Sequence, residues 1–374
     1  MIEILTAPTN KLIMKKLISL FISLAFAGSS FAQMSGYSSS QSDGTTLGAN
    51  ETLTADGIAL GNAVKLRGYV DFVFKYDDEE KRAFAQNEQF TTGADVDFLF
   101  DLSPVTAELH LAAQSNSGGE DIELEQAFGR YSFNQDFHIT FGRQLTVLGF
   151  ESDEAPGLYA VTNAHVLGDE SDITLLGKTR RNYVDGVRAN YNNGMFGLTF
   201  GLHDGYWIND NFDGDNIAID LAASVMFFPG LEARHGYAHE SLDASGASTD
   251  GDIDQFNAWL AWNPGDLTLA TEFDDYGINL PGAVSKIDYW SWMLLANYQF
   301  TDWFAGTLRY THEDVEFGPN LDYDSDRITF ALLFSLTENF GLNVEYSTTS
   351  VDTPAGVTTP GDYNEFLIEG LITY

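Results

Sequence analysis

The side chains that could do chemistry here are charged, and they fall into two sets. Glu151, Asp153, Glu154, Asp169, Glu170 and Asp172 crowd one stretch, residues 147–182. Lys65, Arg67, Arg130, Arg188, Arg234, Arg309 and Arg327 are scattered along segments of alternating hydropathy, where parity puts them on the polar face. Opposed charges along an aqueous passage select ions by sign, whereas the same residues in contact only hold a wall together. Catalytic patterns are missing: there is no G-x-S-x-G, H-E-x-x-H, Walker A or G-x-G-x-x-G. Cysteine is absent, so a disulfide framework, a thiolate metal site and a cysteine nucleophile are excluded. His235 and His239 share a strand face but stand about 13 Å apart at ~3.3 Å per residue, too far to hold one metal. Asn209 to Asp215 has the spacing of a calcium loop with Gly214 sixth, making Asp213 and Asp215 the candidate ligands. Its twelfth position is Asp220, already inside a predicted strand, and Asp250, Asp252 and Asp254 form another acidic run. A loop-bound Ca²⁺ is the one cofactor the sequence raises.

The elements that carry these residues follow from composition and period. The 374 residues include 55 Asp plus Glu against 18 Lys plus Arg, a net charge of −37. That balance excludes a protein that binds nucleic acid by replacing its counterions. Aromatic residues make up 14% and glycines number 35, while mean hydropathy is −0.14. A chain so rich in rings yet polar on average must have two unlike faces. At the N-terminus, Lys15-Lys16, the apolar run Leu17 to Ala27 and the small residues through Ala32 form a secretory signal peptide over 1–32. Residues 33–63 read as a flexible Ser/Gly/Thr/Asn segment.

From Val64 onward the period is two. Leu66, Val70, Phe72 and Phe74 alternate with Lys65, Arg67, Asp71 and Lys75, and the pattern recurs to the C-terminus. Sixteen strands are predicted, near 65–76, 94–102, 105–115, 122–133, 137–146, 183–191, 195–203, 216–227, 231–240, 253–262, 267–275, 287–300, 304–313, 326–336, 340–350 and 364–374. Their connections alternate between tight turns, such as Asn192-Asn193-Gly194 and Pro229-Gly230, and long acidic stretches such as 147–182 and 204–215. Phe133, Phe137, Phe196, Phe227, Phe228, Trp262, Phe300, Trp303, Phe304 and Phe340 cluster beside the tight turns, as an interfacial girdle requires. The fold class is therefore all-β: a transmembrane antiparallel β-barrel over 64–374, with short periplasmic turns and long external loops. Its polar face carries opposite charges two or four residues apart, such as Glu232 with Arg234 and Arg309 with Glu313, which a water-filled lumen tolerates. Arg143 shares parity with Phe137, Ile139 and Phe141, so it needs a bulge or a place above the lipid band.

Leu124-Glu125-Gln126-Ala127-Phe128-Gly129-Arg130-Tyr131, followed by Ile139-Thr140-Phe141-Gly142-Arg143-Gln144, resembles the fourth and fifth strands of Gram-negative general porins. Through Leu148-Gly149-Phe150-Glu151 the chain is also similar to a porin family of marine and environmental bacteria. Its last strand, ending on Tyr374, resembles the terminal assembly signal of this class, with Tyr where Phe is commoner. The resemblance implies a porin that passes small hydrophilic solutes and ions by passive diffusion, a homotrimer, and an outer-membrane setting among lipid and lipopolysaccharide. It also implies that loop 147–182 folds inward as the constriction, setting its acids across from the wall arginines. The acid excess then predicts cation preference. A substrate-selective channel for a sugar or other nutrient is the alternative, and a structural or adhesive barrel with a blocked lumen is a further one. An enzyme is not expected, because no ordered Ser/His/Asp set stands at a rim.

Overall fold

The computed structural model describes residues 57–78, 88–116, 119–152, 154–165, 183–207, 218–243, 250–283, 286–318, 322–352 and 362–374. Asp153, Asp169, Glu170, Asp172, Asp213 and Asp215 lie outside the described residues, as do residues 1–32, read above as a signal peptide, and most of 33–63. The strands are β1 (Ile58–Ala59), β2 (Val64–Asp77), β3 (Glu88–Leu102), β4 (Val105–Asn116), β5 (Gly119–Ser132), β6 (Phe137–Leu145), β7 (Tyr183–Asn192), β8 (Phe196–His203) and β9 (Ala218–Phe228). They continue as β10 (Leu231–Leu242), β11 (Gly251–Trp262), β12 (Leu267–Asn279), β13 (Ile287–Thr301), β14 (Phe304–Phe317), β15 (Asp322–Thr337), β16 (Phe340–Asp352) and β17 (Tyr363–Thr373). From β2 onward each strand pairs antiparallel with the next, and β17 returns to β2 with Phe366 opposite Tyr76. Sixteen strands thus close a barrel with no free edge, which satisfies backbone polar groups in hydrocarbon. The two-residue β1 lies on the end of β2 that β17 leaves uncovered, pairing Ile58 with Leu66. It extends order into the last residues of the segment read as a flexible lead-in.

Alternation decides which side chain meets lipid. On β14 and β15, Leu308, Ile328 and Phe330 are exposed on the outside, while Thr307, Arg309, Arg327 and Thr329 between them are buried on the inside. At the tight-turn end the girdle rings stack on one another: Phe133 on Phe137 at 5.2 Å, Phe300 on Phe304 at 5.1 Å and Phe304 on Phe334 at 5.1 Å. The turns use the chemistry their residues supply. Asn193 Oδ1 accepts from the Met195 and Phe196 amides at 3.0 and 2.8 Å, and Gly194 takes φ +83°, a conformation side chains disfavour. The C-terminal Tyr374 hydroxyl donates to the Asp95 carbonyl at 3.0 Å, so the departure from Phe gains a partner across β2.

Arg143 is outward, as parity required, and sits near the loop end of β6. It donates to Asp185 at 3.2 Å and to the Leu124 carbonyl at 3.0 Å, and its guanidinium lies 5.8 Å from the Tyr183 ring centre. Neighbouring β5 carries the irregularity: His110 pairs with Gln126 and Leu111 with Leu124, leaving Glu125 as the extra residue of a bulge. A bulge turns consecutive side chains towards one side, here Glu125 beside buried Gln126.

Phe330 is 50% exposed halfway along β15. Phe330→Arg therefore sets a charge in the middle of the lipid band and is expected to lower folding free energy by about 2–4 kcal/mol. Urea titration in lipid vesicles against Phe330→Leu checks this; equal midpoints would place the residue outside the membrane.

Candidate functional site

The polar interior is organised around residues 146–165, which leave β6 and run inside the barrel. Val147, Leu148, Phe150, Glu151, Ser152, Ala160, Ala164 and His165 are all buried. A chain segment taken from water must find partners for its backbone N–H groups. The wall provides carboxylates. Phe150 N donates to Glu272 on β12 at 2.7 Å; Val161 N and Thr162 N donate to Glu345 on β16 at 2.7 and 2.9 Å. Gly149 N donates to Asn257 on β11 at 3.2 Å, and Asn257 in turn holds Glu272 and Asp274 at 2.9 and 2.8 Å. The bonds to carboxylates are charge-assisted, stronger than neutral ones such as that to Asn257.

Arg309 on β14 fastens the same segment by its other polarity. Its guanidinium donates to Glu151 at 2.7 Å, to the Thr162 and Asn163 carbonyls at 2.8 and 2.9 Å, and to the Thr162 hydroxyl at 3.2 Å. Glu151 also accepts from Ala164 N at 2.7 Å, closing the loop on itself. Arg327 on β15 joins Glu365 at 2.9 Å, Glu345 at 3.4 Å and the Thr162 hydroxyl at 3.1 Å. A fixed field across an open gap needs the two signs apart; Glu151 and Arg309 instead touch. Glu313, four residues along β14 from Arg309, accepts from the Tyr289 hydroxyl at 3.0 Å.

The other expected arginines are likewise on the inner face and engaged. Arg67 pairs with Asp97 at 2.9 Å, Arg188 with Asp220 at 2.7 Å, Arg130 lies 5.7 Å from the Phe128 ring centre, and Arg234 lies 5.3 Å from that of Trp259. All six arginines are 1–4% exposed. Glu154 reaches a separate part of the wall, with its carboxylate near Asp95 on β3 and Glu125 on β5. The described segment therefore spans from β14–β16 to β3–β5.

Apolar side chains also pack inside the barrel. Leu148, Trp207, Ala238, Ile253, Tyr276 and Tyr289 belong to one buried cluster, and Phe150, Trp259 and Met293 to a second. Tyr206 and Trp207 enter from the loop after β8, their amides donating to Glu240 at 2.9 and 2.6 Å. On the tight-turn side of the crossing segment lies a cavity of ≈ 230 Å³, lined in part by Leu158, Tyr159, Asp266, Asn297, Gln299 and Asn343.

Removing one member of a buried ion pair leaves the other uncompensated, at a cost of about 3–5 kcal/mol. Arg309→Met or Glu151→Gln alone is expected to expose 146–165 to protease in the folded barrel. The double variant is expected to lose less than the two losses added; additive losses would show that the pair does not hold the loop.

Residues 63–365 match the family described as "Putative beta-barrel porin-2, OmpL-like". No curated protein sequence matches the chain. Among solved structures, the outer membrane channel DcaP of Acinetobacter baumannii is similar with a TM-score of 0.63 at 14% identity, covering 84% of this chain and 99% of its own. An anion-selective porin from Comamonas acidovorans gives 0.62 at 15% identity over 83% and 99%, and Pseudomonas putida OprB gives 0.60 at 13% over 83% and 94%. The solved structures share the barrel, and the match over most of the length carries the family: this chain belongs to the OmpL-like β-barrel porins of the outer membrane.

Proposed function

We propose that the chain is a narrow diffusion channel for small hydrophilic solutes and ions, with a preference for cations. The observation that carries this reading is the segment 146–165, which crosses the lumen and is bonded to its walls. Passage is then limited by the space beside that segment, and solute size sets the first cut-off. In this reading loop 147–182 is the constriction, with Glu151, Asp153, Glu154, Asp169, Glu170 and Asp172 as its acids. Arg67, Arg130, Arg188, Arg234, Arg309 and Arg327 form the basic part of the pore wall.

The sign preference rests on the balance of charge. Among the described residues, buried side chains include fourteen Asp and Glu against six Arg. Fixed negative charge raises the local cation concentration. The similar anion-selective porin from Comamonas acidovorans has the same fold at low identity, so sign is a property of side chains and not of the barrel. Export by signal peptide 1–32, assembly as a homotrimer and contact with lipopolysaccharide complete the proposal, drawn from the sequence and the family. A substrate-selective channel is the second reading. The cavity beside Tyr159, Asn297, Gln299 and Asn343 favours it, because amides and a ring are suited to a small polyhydroxylated solute.

Refolded residues 33–374 in a planar bilayer under a KCl gradient test the proposal. Stepwise ohmic conductance with a cation-selective reversal potential is expected, shifting towards zero when the acids of 147–182 are neutralised. An anion-selective potential would overturn the sign, and folded barrels without conductance would overturn the diffusion channel.

A further inference from the structure

The crossing segment is held differently at its two ends. Towards β14–β16 it meets guanidinium groups as well as carboxylates. Towards β3 and β5 it brings three carboxylates together: Asp95 of β3, Glu125 of β5 and Glu154 of the loop, with oxygens all within 4.8 Å of one another. Asp95 is 1% exposed, and no N–H or hydroxyl donor reaches either of its carboxylate oxygens. Arg67 and His110 on the same wall point their charge at other acids. Arg67 is 2.9 Å from Asp97, and His110 is 2.9 Å from Asp97 and 3.0 Å from Glu108.

We infer that Asp95, Glu125 and Glu154 form a Ca²⁺ site that ties the crossing loop to β3 and β5. Two features support that assignment. The donors are all hard oxygens, which suit Ca²⁺ or Mg²⁺ and disfavour metals that seek nitrogen or sulfur. And the backbone departs from regularity to make the set. Without the β5 bulge, strand alternation would not turn both Glu125 and Gln126 to the inner side. Ca²⁺ is favoured over Mg²⁺ because it accepts irregular carboxylate geometry from separate chain segments, with water completing the shell.

The His165, Glu272 and Asp274 group at the other end of the segment differs in kind. There Nε2 of His165 lies 3.5 Å from Glu272 and 3.9 Å from Asp274, and those carboxylates already accept from Phe150 N and Asn257. That group holds a nitrogen donor of the protein among its carboxylates, whereas the Asp95 group holds carboxylate oxygens alone.

The inference depends on the loop crossing the lumen but not on which ions the channel passes. Tb³⁺ luminescence, displaced by Ca²⁺, is measured on residues 33–374 folded in detergent. Folding is verified by the heat-modifiable band on gels. Asp95→Asn and Glu154→Gln are each expected to weaken the tightest site at least tenfold, whereas Asp324→Asn at the external end of β15 leaves it unchanged. Ca²⁺ should also raise the thermal midpoint of the native chain more than that of Asp95→Asn. Should either variant lack the folded band, Glu125→Gln replaces it. Titrations that are alike in the native chain and the folded variants would overturn the site and leave the three carboxyls sharing protons.

Discussion

The interior of this barrel is governed by one requirement: a loop drawn out of water needs partners for its backbone. Amides from Gly149 to Ala164 find them in side chains, chiefly Asn257, Glu272, Glu345 and the loop's own Glu151. Carboxylates suit the task, since each oxygen accepts more than one donor and the charge strengthens every bond. Burying that charge then requires a counterion, which Arg309 and Arg327 supply. Remove the guanidinium groups and the acids become uncompensated; remove the acids and the amides lose their acceptors. The wall and the loop are therefore specified together, although residues such as Val161 and Glu345 lie 184 positions apart.

The outer surface follows a different rule, and that rule was visible in the sequence. Lipid on one side and a polar interior on the other impose period two, so all sixteen barrel strands were legible from alternation. Their external ends were not. β3 begins at Glu88 rather than near 94, and β15 at Asp322 rather than near 326. Above the lipid band both faces of a strand are wet, so residues such as Gln89, Thr91, Asp322 and Asp324 carry no hydropathic contrast. The expected positions of the arginines were legible by parity; their partners were not. Arg309 bonds Glu151 across 158 positions instead of Glu313 four residues away. Local spacing cannot express a contact that exists only once a loop has turned inward.

Two further features lay beyond any reading of period. The bulge at Glu125 adds one residue to β5 and turns an acid inward, and nothing in Leu124-Glu125-Gln126 announces it. Tyr276 and Tyr289 take the inner face by alternation with exposed Phe273 and Trp290, but their packing with Trp207, Leu148 and Ile253 depends on loops that turn inward. An apolar cluster within a polar lumen becomes possible because inward loops provide the facing surface that a bare wall lacks. That packing and the charged anchors act together: one removes water from the segment, and the other supplies the bonds that water would have made.

The central claim is that the segment crossing the lumen sets what passes. Single-channel conductance of the native barrel compared with one in which 151–164 is replaced by a short Gly/Ser linker tests it directly. The sixteen strands are untouched by that change, and folding is checked by the heat-modifiable band. Conductance is expected to rise several-fold, with larger solutes admitted. An unchanged conductance and size limit would contradict the account and place the constriction elsewhere in the chain.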